Sequence, residues 1–166
     1  MKIKTLVYFL LFYFIASNSF ANTPKSSGKY KNWESFTLMT EKGKVCFAQT
    51  KPTKRAPAAI KRNDSRIFVT FRPGENINDE ISITSGHTYK NSTVSAKSGK
   101  SNFSFFSQGD FAWLLDENEE KKFIKLMKRA TDLMIKGKTK DGAETTDHYS
   151  MMGFTKAYNT AKKTCS

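Results

Sequence analysis

Apolar and polar residues alternate along most of this chain with a period of two, the spacing of a strand that buries one face. The clearest stretch is 66–71, where Ile67, Val69 and Phe71 fall on one side and Arg72-Pro73-Gly74 supplies turn chemistry. Segments 33–39 and 44–49 form a predicted hairpin across Glu41-Lys42-Gly43. Residues 80–84 alternate strictly and stop at Ser85-Gly86, while 88–90 and 92–96 are weaker strands. Segment 102–107 is aromatic, and 111–115 is apolar on both faces, with Gln108-Gly109-Asp110 as the turn between them. Trp33 and Trp113 read as core plugs, the usual fate of a strand tryptophan with apolar neighbours, with a ligand platform as the alternative for Trp113.

The period then changes to that of a helix. Asp116 is placed to cap it, with Glu119 completing a capping box. Phe123, Leu126, Met127 and Ala130 make its apolar face, acids fill its first turn and bases its last. Strands are predicted again at 131–135 and 143–149. A last helix follows, capped by Ser150, with Phe154, Ala157, Tyr158 and Ala161 on one side. This order is mainly β, an antiparallel sandwich with two short helices.

The N-terminus reads as an address. Lys2 and Lys4 precede an apolar run from Leu6 to Ala16, long enough for a signal peptide and short for a bilayer span. Ser19-Phe20-Ala21 is a cleavage site, so 1–21 is expected to be removed. Residues 22–32 are polar and basic and are expected to be a flexible leader, with one domain over 33–166. Export to the periplasm favours a bond between Cys46 and Cys165, the only cysteines. Two free thiols and a metal site are the alternatives. Two widely spaced histidines give the metal no short-range ligand pattern.

Charge changes the picture most. The chain carries 28 Lys+Arg against 15 Asp+Glu, a net +13, which signal removal lowers by two lysines to +11. Segment 51–72 holds Lys51, Lys54, Arg55, Lys61, Arg62, Arg66 and Arg72 against Asp64 alone. Arg55, Lys61 and Arg62 are therefore candidate anion-binding residues, since guanidinium forks grip phosphate and carboxylate. An envelope component or a polyanion is the expected partner; peripheral membrane contact is open, and nucleic acid is not the expected ligand. The competing expectation is that these bases pair with acids such as Asp110 or Asp147 and only hold the connection down. Among catalytic patterns, only His148 and Ser150 share a strand face, a weak hydrolase candidate beside Asp147. There is no nucleophile elbow, Walker loop or dinucleotide fingerprint, and no cofactor is expected.

Several segments, taken in order, resemble one family. They are Trp33, Lys44-Val45-Cys46-Phe47-Ala48, Pro52-Thr53-Lys54-Arg55-Ala56-Pro57, Lys61-Arg62, Phe68-Val69-Thr70-Phe71-Arg72-Pro73, Gln108-Gly109-Asp110-Phe111-Ala112-Trp113, Gly142-Ala143-Glu144-Thr145-Thr146-Asp147-His148-Tyr149-Ser150, Gly153 and Cys165. The chain resembles the invasion-associated locus B proteins of bacteria over nearly the whole of 33–165. The resemblance implies an exported immunoglobulin-like β-sandwich of the periplasm or envelope, a non-enzymatic interaction module with a role in host entry in pathogenic relatives. It carries over no site beyond the cysteine pair. Met151-Met152 and Arg129-Ala130 depart from the family's pattern.

Overall fold

A computed structural model describes residues 23–91 and 93–166. The expected signal peptide and its cleavage site lie outside the described residues. The elements, in chain order, are β1 (Lys25–Tyr30), β2 (Trp33–Thr40), β3 (Gly43–Thr50), β4 (Lys54–Ala56), β5 (Arg66–Arg72), β6 (Ile77–Thr84), β7 (Val94–Ser98), β8 (Ser101–Gln108), β9 (Phe111–Trp113), α1 (Glu117–Met127), β10 (Asp132–Lys138), β11 (Glu144–Ser150) and α2 (Phe154–Thr164). The fold is mainly β, and every strand pairing is antiparallel.

Hydrogen bonding orders the strands β1-β2-β3-β5-β6-β9-β8-β7-β10-β11-β4. Strand β8 serves two sheets. Its first half pairs with β7, and its second half, from Phe106, pairs with β9. The larger sheet is therefore β1-β2-β3-β5-β6-β9-β8 and the smaller one β8-β7-β10-β11-β4. Alternation decides what each buries. In the larger sheet Trp33, Cys46, Ala48, Ile67, Val69, Phe71, Ile81 and Ile83 point inward; in the smaller, Val94, Ala96, Leu133, Ile135 and Tyr149 do. One cluster joins them. The indole of Trp33, fully buried, donates to the Ser150 carbonyl at 3.0 Å and so fastens β2 to β11.

The helices close the sandwich. Helix α1 starts as expected at Asp116, whose carboxylate accepts from the Glu119 amide at 2.9 Å. Glu119 turns to Lys122 instead of completing the box. Phe123 of α1 sits edge-on between Phe103 and Phe105 of β8. Helix α2 buries the four residues its periodicity marks, Phe154, Ala157, Tyr158 and Ala161, against β1, β2 and β3. Its cap is not Ser150, which remains in β11, but Gly153, held at φ 97°. A side chain there would run into the Tyr30 carbonyl, so the close approach of β1 to α2 demands glycine.

The leader is corrected most. Residues 25–30 form an edge strand paired with β2, and Tyr30 reaches Thr160 of α2 at 2.9 Å. The segment has no apolar period because an edge strand half outside the core needs none. Backbone pairing and the Tyr30 anchor hold it.

Cys46 and Cys165 form a disulfide with a Cα–Cα distance of 5.8 Å, tying β3 to the end of α2 across 119 residues. Closing so long a loop in the unfolded chain contributes about 4–5 kcal/mol in the chain-entropy model. We predict that Cys165→Ser lowers the free energy of urea unfolding by about 2–5 kcal/mol, and that reducing agent does the same to the native chain. A variant as stable as the native protein would show that α2 packing alone carries the closure.

Candidate functional site

The basic connection between β3 and β5 folds onto β11. Strand β4 pairs with β11, placing Arg55 opposite Asp147 and Lys54 opposite His148. Asp147 points inward, its side chain fully buried. Arg62, with a side chain 1% exposed, grips it through both oxygens at 2.7 and 3.0 Å. The same guanidinium donates to the carbonyls of Ser85, at 3.1 Å, and Ala56. The Arg55 Nε lies 3.9 Å from Asp147, and its Nη2 donates to the Asn63 carbonyl at 2.7 Å. A charge pair so far from water holds only with this saturation of hydrogen bonds.

This geometry decides the fate of the three candidate anion-binding residues. Lys61 is exposed, Arg55 is one-third exposed, and Arg62 is inside the protein. They do not share a face, because Asp147 draws Arg62 into the core. The other arginines of the segment also meet acids. Arg66 and Lys51 both reach Asp64 at 2.8 Å, and Arg72 grips Glu80 with two bonds. The competing expectation named Asp147, which takes this role, and Asp110, which instead accepts from Thr88.

Around the pair lies a polar cluster. Gly86, at φ 73°, lets the Asn63 amide donate to its carbonyl at 2.9 Å; a side chain there would strike the Asn63 carbonyl. Tyr89 donates to Ser85 at 2.7 Å, and burial pushes its phenol up. His87 touches Thr145 through Nε2 at 2.9 Å and stacks edge-on against Tyr89; burial lowers its pKa. Tyr149, beside Asp147, has its phenol raised by burial, and its hydroxyl has no hydrogen-bond partner.

The hydrolase constellation does not assemble. His148 and Ser150 lie on the outward face of β11, while Asp147 points the other way. The backbone carbonyls of His148 and Ser150 are structural acceptors, for Thr53 and for Trp33. Ser150 Oγ accepts from the Met152 amide. Both cysteine sulfurs are spent on each other. No group of His, Cys, Asp or Glu among the described residues is arranged to hold a metal ion. No helix among them is long and apolar enough to cross a membrane.

The feature that sequence reading missed is the outer face of the larger sheet. Phe36 stacks on Phe47 across β2 and β3 at 5.3 Å, and Phe47 meets Phe68 of β5 edge-on at 6.0 Å. On β9, Phe111 stacks on Trp113 at 5.9 Å. Register places Gln49, Phe68, Ser82, Trp113 and Phe106 opposite one another in one row. Trp113 is thus not a core plug: it is half-buried on the outside, where only Trp33 meets the expectation. Phe106 and Phe111 are 45% and 39% exposed. A signal was present: 111–115 is apolar on both faces, which one buried face does not require.

Two grooves open onto this face. One, of ≈ 430 Å³, is lined by Asn32, Glu34, Gln49, Lys51 and Arg66 among others. The second, of ≈ 580 Å³, is lined by Asn76, Glu80, Trp113, Leu115, Glu117 and Glu120 among others. Glu120 accepts from the Ile81 amide of β6 at 3.2 Å, beyond the two residues that β9 pairs. Burial, and then repulsion from Glu80, Asp79 and Glu117, raises its pKa to about 7.

Comparison with family profiles, curated proteins and solved structures returns no match.

Two predictions follow from these contacts. Arg62→Ala should cost about 3–5 kcal/mol in urea unfolding, because the buried Asp147 loses both its short bonds and keeps only Arg55 at 3.9 Å, while Lys61→Gln should shift it by less than about 0.5 kcal/mol. Equal small effects would mean that Asp147 finds water. Glu120 binds a proton more tightly in the fold than in the unfolded chain, where its pKa is near the ordinary glutamate value of 4.5. Its contribution to stability is therefore greatest at acid pH and is lost as pH rises from about 4.5 to about 7. Glu120→Gln should flatten the melting profile over that window and melt higher than the native protein at pH 8. Parallel profiles would refute the assignment.

Proposed function

We propose that this protein is an exported, non-catalytic interaction module of the cell envelope, as the invasion-associated locus B resemblance implies, and that it binds its partner through the outer face of the larger sheet. One observation carries the reading. Phe36, Phe47, Phe68, Phe106, Phe111 and Trp113 share the outer side of the larger sheet, where Phe106 and Phe111 are exposed and the other four are half-buried. Ring surface left toward water in a contiguous band marks an interaction site more often than isolated apolar residues do. The disulfide is compatible with an oxidising compartment, and the signal-like N-terminus supplies the route.

Phe106 and Phe111 lie outside the core, so replacing both with serine should leave the melting temperature nearly unchanged. In cells of its source the protein should be found in the periplasmic or envelope fraction, with an intact mass starting at Asn22. Purified protein should sediment with isolated envelopes, and the Phe106→Ser/Phe111→Ser variant should not. A cytoplasmic chain retaining Met1, or equal sedimentation of the variant, would overturn the reading.

A further inference from the structure

The outer face has a shape as well as a composition. From β2 to β8 it crosses five strand spacings, about 24 Å. Its rings do not form a compact patch. They run diagonally, from the Phe36–Phe47 stack through Phe68 to Trp113, flanked by Phe106 and Phe111. In the same rows Gln49 and Ser82 lie beside Phe68 and Thr70 lies opposite Phe47, but Ser82 and Thr70 are buried, so the polar groups within reach are Gln49 and those of the grooves at either end. The band ends in polar grooves on both sides, the first sharing Gln49 and the second sharing Trp113 and Glu80.

We infer that this band is a binding track for a linear, uncharged polysaccharide of the cell envelope. A pyranose ring presents a flat C–H face, which packs on the electron-rich face of an aromatic ring. Its hydroxyls lie around the edge, where amide, hydroxyl and carboxylate side chains reach them. A line of rings that ends in polar grooves matches such a chain. It matches other occupants less well. Three side-chain rows over about 24 Å give about 500 Å², short of the roughly 800 Å² per partner of a standard protein interface, so a second copy or a globular partner is poorly served. Single-stranded nucleic acid needs a cationic path for its phosphates. Here Glu34 stands at one end of the band, and Glu80, Glu117 and Glu120 stand at the other. Of the bases in the first groove, Lys51 and Arg66 are engaged by Asp64, and Lys29 lies opposite Glu34 in the β1–β2 pairing.

The inference rests on the interaction-module reading and sharpens it. The chain supplies its own probe. Of its two tryptophans, Trp33 is fully buried and Trp113 lies on the band, so a ligand-dependent change in emission reports the band. The native protein is titrated with cellohexaose, chitohexaose and their disaccharides, and with a dodecameric oligothymidylate. A saturable change in Trp113 emission with a hexasaccharide is expected, stronger than with its disaccharide and insensitive to salt. The Phe106→Ser/Phe111→Ser variant should weaken it by about tenfold or more. Silence from both hexasaccharides overturns the inference, as does equal binding by the variant. A response confined to the oligothymidylate and suppressed by salt overturns it in favour of nucleic acid. A native dimer in sedimentation that the variant dissolves overturns it in favour of a second copy. If envelope sedimentation depends on the band while the sugars are silent, the polysaccharide falls and the interaction module stands. If sedimentation is also independent of the band, both fall.

Discussion

Asp147 is a carboxylate on the inward face of a central strand, and much of the structure follows from placing it there. Inside a sandwich an ionised acid holds only if an opposite charge comes to it. Arg62 comes, and to do so the connection between β3 and β5 must leave the surface and cross the smaller sheet. The crossing lays β4 beside β11, brings Asn63 to Gly86 and sets the Ser85 carbonyl on the guanidinium. A segment that its charge alone would send into water is drawn into the interior by one acid.

The disulfide and α2 do for the larger sheet what this pair does for the smaller. Phe154 and Tyr158 pack on Trp33 and Phe71, and the bond holds the helix against β3. Tyr158 also donates to Asp79 at 2.7 Å, with Lys128 over its ring. Both devices act on inner faces. Neither device reaches the outer face of the larger sheet, where Phe106 and Phe111 remain exposed.

Period-two alternation located β2, β3, β5 and β6, and the helix faces were legible because apolar residues recur there at the spacing a helix requires. What alternation does not resolve is which side of a strand faces the core when both sides are apolar. Phe111-Ala112-Trp113-Leu114 buries Ala112 and Leu114 and turns its rings outward, against the weight of side-chain size. Nor does it find β1, whose residues are polar because the edge of a sheet asks little of them. The basic connection was legible as charge and not as position. Two arginines seven residues apart in sequence, Arg55 and Arg62, look alike until Asp147, more than eighty residues later, separates them.

A broad aromatic sheet exposed to water is a hazard as well as an opportunity, since flat strand edges recruit further chains and grow into fibrils. Here the growth points are blunted. At one end of the ribbon β4 has only three residues, with Pro52 and Pro57 on either side. At the other, β1 carries Lys25 and Lys29 and breaks its register between Ser26 and Gly28. The ring-bearing surface is thus offered broadside, while the sheet's two margins are closed to a templated strand.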